Sequence, residues 1–179
     1  MSATSRRDTS VSAPSLRDGI GGFYSPMTTF SLHSEISLPK PLEEVFAFFA
    51  DARNLERLTP PWLRFEVLTP GPIVMCPGTL IDYRIRLHGL PVRWQSEITV
   101  WEPPFRFADE QRRGPYRLWN HQHIFRSEGR NTIAEDKVEY AVLGGSLVNR
   151  FFVAPDLDRI FAYRRQKLGE IFGATAMPA

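Results

Sequence analysis

Hydrophobic and polar positions alternate strictly from Thr28 to Leu38, with Phe30, Leu32, Ser34, Ile36 and Leu38 on one parity. A period of two predicts a strand with one buried face. Pro39-Lys40-Pro41 closes it, and Pro41 suits the first position of a helix. The period then changes. Leu42, Val45, Phe46 and Phe49 recur at i, i+3, i+4 and i+7, which makes one apolar helix face. Glu43 and Glu44 fall in the first turn, where carboxylates offset the helix dipole. Asp51 is placed to cap a second short helix carrying Leu55 and Leu58, which Pro60-Pro61 must end.

Beyond Trp62 the period returns to two. Strands are predicted near Phe65–Leu68, Thr79–His88, Val92–Trp101, Phe105–Arg112, Tyr116–Phe125 and Thr132–Val142. The links between them are short and turn-like, as in Cys76-Pro77-Gly78, Gly89-Leu90-Pro91, Glu102-Pro103-Pro104, Arg113-Gly114-Pro115 and Glu128-Gly129-Arg130-Asn131. Strands joined in this way form an antiparallel meander. Gly144-Gly145 then leads into a helical segment that Pro155 should kink or restart, with Leu157, Ile160, Phe161, Leu168, Ile171 and Phe172 as its stripe. The fold expected is α+β: a curved antiparallel sheet of about seven strands wrapped around a long C-terminal helix, with two short helices after the first strand. A sheet that curls around a helix can leave a space between them.

Composition narrows the function. The 179 residues carry a net charge of +2 with the signs interspersed, which lacks the basic footprint of a nucleic-acid binder. One cysteine, Cys76, excludes a disulfide framework and a thiolate metal cluster. No apolar run approaches the roughly 20 residues of a membrane span. Aromatic residues make up 12% of the chain, enough to line an internal space as well as to fill a core. Residues 1–27 are rich in Ser, Thr and Gly without periodicity and read as a disordered tail, or as an over-extended start with Met27 opening the domain. Arg6-Arg7 is not followed by an apolar export segment, and Asp8 and Asp18 speak against a transit peptide, so a cytoplasmic location is expected. The domain is expected over residues 28–173, followed by a short tail over 174–179.

The order of elements, together with Pro41-Leu42-Glu43-Glu44-Val45-Phe46, resembles the START/Bet v 1-like (SRPBCC, helix-grip) superfamily over about residues 28–173. Three stretches resemble one bacterial subgroup of ligand-binding SRPBCC proteins, cell-division-inhibitor-like in name: residues 54–62, residues 78–84, and the run from Asp109 through Trp119-Asn120-His121-Gln122-His123 to Phe125. In some relatives such a domain precedes a Rossmann-type domain, but these 179 residues hold no glycine-rich dinucleotide loop, so that activity is not carried over. The resemblance implies a pocket for lipids, sterols, polyketides or other apolar molecules. It supplies no catalytic residues.

Candidate chemistry follows from strand parity. His121 and His123 are two apart and share a face with Trp119 and Phe125. Asp109 and Gln111 share a face with Phe107, and Asp136 shares one with Val138 and Tyr140. A carboxylate among apolar neighbours needs a partner or a shifted pKa. Arg164, on the apolar stripe of the last helix, and Arg84, in the third strand, are the candidate partners. One partner left free would hold the polar head of a ligand. Trp62, Tyr83, Trp94 and Trp101 are weighed as pocket lining against core, and Trp62 sits in a loop able to cover a cavity mouth. A metal would need carboxylates brought to the histidines by folding, and neither His-x-x-Glu nor Cys-x-x-Cys spacing supports it; no metal or cofactor is expected. No local nucleophile motif is present.

The reading that results is a binding protein for a hydrophobic small molecule, monomeric or weakly dimeric. Its expected ligand contacts are Trp62, Tyr83, Arg84, Trp94, Asp109, Gln111, Trp119, His121, His123, Asp136, Tyr140 and Arg164. An enzyme of the cyclase, dehydratase or hydrolase sort is the alternative, with His121 or His123 moving a proton and Asp109 or Asp136 orienting it. A protein-interaction module is the third reading.

Overall fold

The computed structural model describes Ser5–Arg6 and residues 27–174. Strand β1 (Ser5–Arg6) lies within the segment expected as a tail and pairs with β2 (Phe30–Leu38); the rest of that segment and residues 175–179 lie outside the described residues. Next come α1 (Leu42–Phe49) and α2 (Leu55–Leu58). The remaining strands are β3 (Glu66–Val67), β4 (Leu80–Leu87), β5 (Leu90–Glu102), β6 (Arg106–Arg113), β7 (Leu118–Glu128) and β8 (Asn131–Ala141). The chain closes with α3 (Gly145–Val148), a π-helical turn (Asn149–Val153) and α4 (Ala154–Phe172). All strand pairs are antiparallel, in the order β1-β2-β8-β7-β6-β5-β4-β3. This is the helix-grip architecture expected from the periodicities, with β2 and β8 adjacent although they are far apart in sequence.

Local chemistry explains the boundaries. Pro41 holds an extended conformation immediately before α1, and the helix buries Leu42, Val45, Phe46 and Phe49. The Asp51 carboxylate accepts from the Arg53 backbone N–H at 2.9 Å, capping the turn that leads into α2. The β4–β5 link is tighter than expected. His88 and Gly89 both have positive φ, 49° and 83°, as a two-residue hairpin of the primed type requires. Leu90 and Pro91 therefore belong to β5, with Pro91 opposite Arg86. Register shifts in β5 between Gln95 and Ser96 and between Ile98 and Val100 add the twist and bend that curl the sheet. Pro155 sits in the first turn of α4, directly after the π turn that lets the helical run accommodate a residue without a backbone N–H.

The concave face of the sheet is covered in two blocks. One joins α1 and the C-terminal half of α4 to β6, β7 and β8 through Phe46, Phe49, Phe107, Phe125 and Leu168. The other joins the N-terminal half of α4 to β2, β7 and β8 through Leu32, Trp119, Tyr140, Leu157 and Phe161. Along α4, Arg164 falls between Phe161 of one block and Leu168 of the other. Because Leu168 is 1% exposed in the centre of its block, Leu168→Ala should cost about 2–5 kcal/mol. Urea unfolding should show this as a lower midpoint with an unchanged slope.

Candidate functional site

Register decides which inward-facing side chains meet. Across β6 and β7, Asp109 lies opposite His121 and Phe107 opposite His123. Across β7 and β8, His123 lies opposite Asp136 and Trp119 opposite Tyr140. Four polar side chains therefore stand together on the concave face. Arg164 descends from α4 onto them, and its guanidinium also lies 5.3 Å from the centre of the Phe49 ring.

Asp136 is the hub. Arg164 Nε donates to Asp136 Oδ2 at 3.1 Å and Nη2 to Oδ1 at 3.3 Å. His121 Nε2 lies 3.0 Å and His123 Nδ1 2.9 Å from Asp136 Oδ1. An ionised carboxylate only accepts, so both of these ring nitrogens carry the proton and the opposite nitrogen of each ring, when neutral, keeps its lone pair. Burial alone would raise the Asp136 carboxyl, but Arg164 and the hydrogen bonds from both histidines outweigh it and hold the group well below the usual carboxylate range. His123, stacked 4.2 Å from Phe107, is lowered by burial and by neighbouring His121 to about 3, so it is neutral.

Asp109 is different. Its Oδ2 is enclosed and has no hydrogen-bond partner, and His121 Nδ1 stands 4.0 Å away, beyond hydrogen-bond reach. Burial, only partly offset by His121 and Arg164, pushes this carboxyl upward and favours its protonated, donating form. Tyr83 is also raised well above the usual phenol range, first by burial and then by Asp109 and Asp82.

These groups border a cavity of about 50 Å³, lined on its apolar side by residues such as Phe49, Leu58, Ile81 and Phe107. That is room for a few water-sized groups, far less than a lipid. Of the expected ligand contacts, Tyr83, Asp109, His121, His123 and Arg164 line this cavity, and Asp136 stands behind the histidines. The other expected contacts do not join them. Trp94, Trp119 and Tyr140 pack on one another and on Tyr116 in the second apolar block, with Trp94–Trp119 ring centres 5.3 Å apart. Gln111 closes the β6–β7 turn, bonding the Tyr116 carbonyl at 2.7 Å and its N–H at 3.2 Å. Arg84 lies on the convex face and pairs with Glu66, because its parity in β4 is opposite to that of Tyr83. Trp62 is 55% exposed and stands edge-on to Tyr163, beside a separate outer groove of about 430 Å³ near His88 and Arg159. Phe49 and Phe107 were not among the expected contacts, although Phe107 shares the parity of Asp109 and Phe49 ends the apolar face of α1.

A family described as "Polyketide cyclase / dehydrase and lipid transport" matches residues 38–162, most of the chain. The chain belongs to that family. The match covers the sheet from the end of β2, both short helices and the first half of α4, so it contains the cavity's lining residues except Arg164. Solved structures agree on the fold. A protein from Thermus thermophilus superposes with a TM-score of 0.59 at 21% identity, over 82% of this chain and 99% of the other. Ginseng (Panax ginseng) major latex-like protein 151 gives 0.61 at 9% identity, over 80% and 97%. A Thalictrum norcoclaurine synthase point mutant, solved in complex with a transition-state analogue, gives 0.60 at 13% identity, over 83% and 99%. At these identities the likeness is one of fold. No curated protein matches the sequence.

Two outcomes follow from the hub. Arg164→Ala leaves Asp136 buried without its cation and should cost roughly 3–5 kcal/mol. A urea midpoint equal to that of the parent would contradict this. The second concerns pH. His123 in the folded state binds its proton only near 3, against about 6.5 in the unfolded chain. The unfolded state therefore takes up more protons between those values. The stability tied to neutral His123 is fully present above about pH 6.5 and is lost as pH falls through the window. In His123→Asn the pH slope of the unfolding free energy there should fall by up to about 1.4 kcal/mol per pH unit. The measurement is urea unfolding of chelator-treated protein, so that protons alone compete for the ring. An unchanged slope would mean that the folded ring titrates normally.

Proposed function

We propose that the protein binds an apolar small molecule bearing one polar atom in the space between the sheet and α4. The observation that carries this reading is Asp109 Oδ2, enclosed beside aromatic walls and left without a hydrogen bond while its neighbours satisfy one another. A buried polar atom without a partner is costly, and a ligand hydroxyl or carbonyl placed between Asp109 and His121 relieves that cost. The ligand's head fits the present cavity. Its apolar remainder enters by displacing half-buried Leu55 and Met75, which line the same cavity near the exposed Asp51. Met75 is unbranched and flexible, suited to yielding in this way. Membership of a family described by cyclases and lipid transport supports an apolar ligand.

A second reading has its own observation. Asp136 orients His121 through Nε2, which leaves Nδ1 facing Asp109 and the cavity. That is the base-and-orienter arrangement of proton-transfer enzymes, with His121 as the proton carrier. Residues 54–62, 78–84 and 109–125 further support placing the chain in the bacterial ligand-binding, cell-division-inhibitor-like subgroup. We also take it to act in the cytoplasm as a monomer or weak dimer.

Native mass spectrometry of freshly purified protein, followed by solvent extraction, should reveal a reproducible apolar adduct. Uptake of a fluorescent apolar probe carrying a hydroxyl should saturate. Asp109→Leu should weaken that uptake by roughly 1–3 kcal/mol, the cost of burying an unpaired polar head. Trp62→Ala, on the outer groove, should leave it unchanged. Absence of both an adduct and saturable uptake would refute the binding function.

A further inference from the structure

We propose that Asp109, His121 and His123 form a binding site for a divalent transition-metal cation of the zinc type, with a further coordination position open to the cavity. One ring nitrogen from each histidine and a carboxylate oxygen of Asp109 lie within 4.8 Å of one another. Ligands held about 2.1 Å from a tetrahedral zinc stand roughly 3.4 Å apart. Closing the three donors onto an ion therefore needs shifts of about an ångström or less, within reach of side-chain rotation.

The surroundings are those of a metal centre. Asp136 takes the N–H of both rings, at 3.0 Å from His121 Nε2 and 2.9 Å from His123 Nδ1. An outer carboxylate that fixes ring orientation and tautomer in this way is the usual support of metal-bound histidines, because it presents the opposite, unprotonated nitrogen to the ion. Here one carboxylate serves both rings. Arg164 binds that carboxylate with two N–H groups, so Asp136 is neutralised and does not itself compete for the cation. Asp109 does the opposite. Its buried Oδ2 has no hydrogen-bond donor at all, the condition of an oxygen that lacks its cation. The cavity of about 50 Å³ leaves space for an ion and a bound water.

The donor set also selects the class of ion. Two imidazoles and one carboxylate suit zinc, cobalt and iron(II), whereas calcium and magnesium call for oxygen ligands throughout. A second group of potential donors, His33, Glu35 and Glu135, lies on the other face of the sheet. There Glu135 already pairs with His33 at 2.6 Å and with Lys137 at 3.1 Å, so it offers no comparable vacancy and serves as a control.

This inference does not rest on the ligand-binding reading, although a bound cation would supply a Lewis acid to grip a ligand oxygen. The test is calorimetric titration of chelator-treated full-length protein with Zn²⁺, and with Co²⁺ followed by its visible absorption. One equivalent should bind, with the intense cobalt bands of low coordination. Asp109→Asn, which preserves shape, should weaken binding at least about tenfold, and His121→Gln likewise. His33→Ala should change nothing. Failure of the folded parent protein to bind either ion saturably would overturn the proposal. So would binding that persists undiminished in Asp109→Asn. Uptake of the hydroxyl-bearing apolar probe, measured on the same chelator-treated protein, separates the two readings: probe uptake without metal binding sinks only the cation site.

Discussion

The buried carboxylate of Asp136 is the constraint around which the molecule is arranged. Its charge is matched by a cation from the helix, and it gathers Arg164 of α4 together with His121 and His123 of β7. A buried ion pair of this kind is not in itself a large net source of stability, since desolvation offsets most of the attraction. What it provides is position. Arg164 reaches Asp136 with two N–H groups, so the pair ties α4 to β8 at a defined point between the two apolar blocks. The same contact sets the tautomers of two histidines. Fold geometry and site chemistry therefore share a single hub.

The remaining polar group acquires its character from what the hub leaves out. Asp109 is opposite His121 in the sheet, yet the proton-donating nitrogen of that ring faces Asp136 and the guanidinium is already occupied. A second carboxylate in the same low-dielectric space is only partly offset by these groups, so burial drives it toward protonation or toward an incoming partner. Hydroxyl, carbonyl and metal cation are the partners its chemistry accepts.

Family membership places these observations in a known architecture without dictating the chemistry. The fold supplies a concave sheet, a covering helix and a space between them, and functions are grafted onto that frame by particular side chains. In this chain much of the space has been filled. Trp94, Tyr116, Trp119 and Tyr140 interdigitate beneath the first half of α4, which leaves a small polar-walled cavity under the second half. The cavity's residues come from α1, α2, four strands and α4, so a shift of any one of these changes the site.

Much of the fold was legible in the chain because it depends on local periodicity. Alternation at Phe30–Leu38 and beyond gave the strands, the spacing of Leu42, Val45, Phe46 and Phe49 gave α1, and Asp51 and Pro155 acted at the positions their chemistry predicts. Parity also brought Asp109, His121, His123 and Asp136 onto inward faces, and Arg164 was conspicuous as a charge on an apolar stripe. What local pattern left open was pairing, because a period of two says which face a residue takes and nothing about its neighbour on another strand. Register made Asp136 rather than Asp109 the partner, and the outward parity of Arg84 left Arg164 as the cation. Tertiary packing alone decided that Trp94, Trp119 and Tyr140 would fill space rather than line it, and that Trp62 would face a groove on the outside. The volume of a cavity is the difference between the space a backbone encloses and the side chains that reach into it. That difference depends on contacts among residues remote in sequence, and no run of neighbouring residues encodes it.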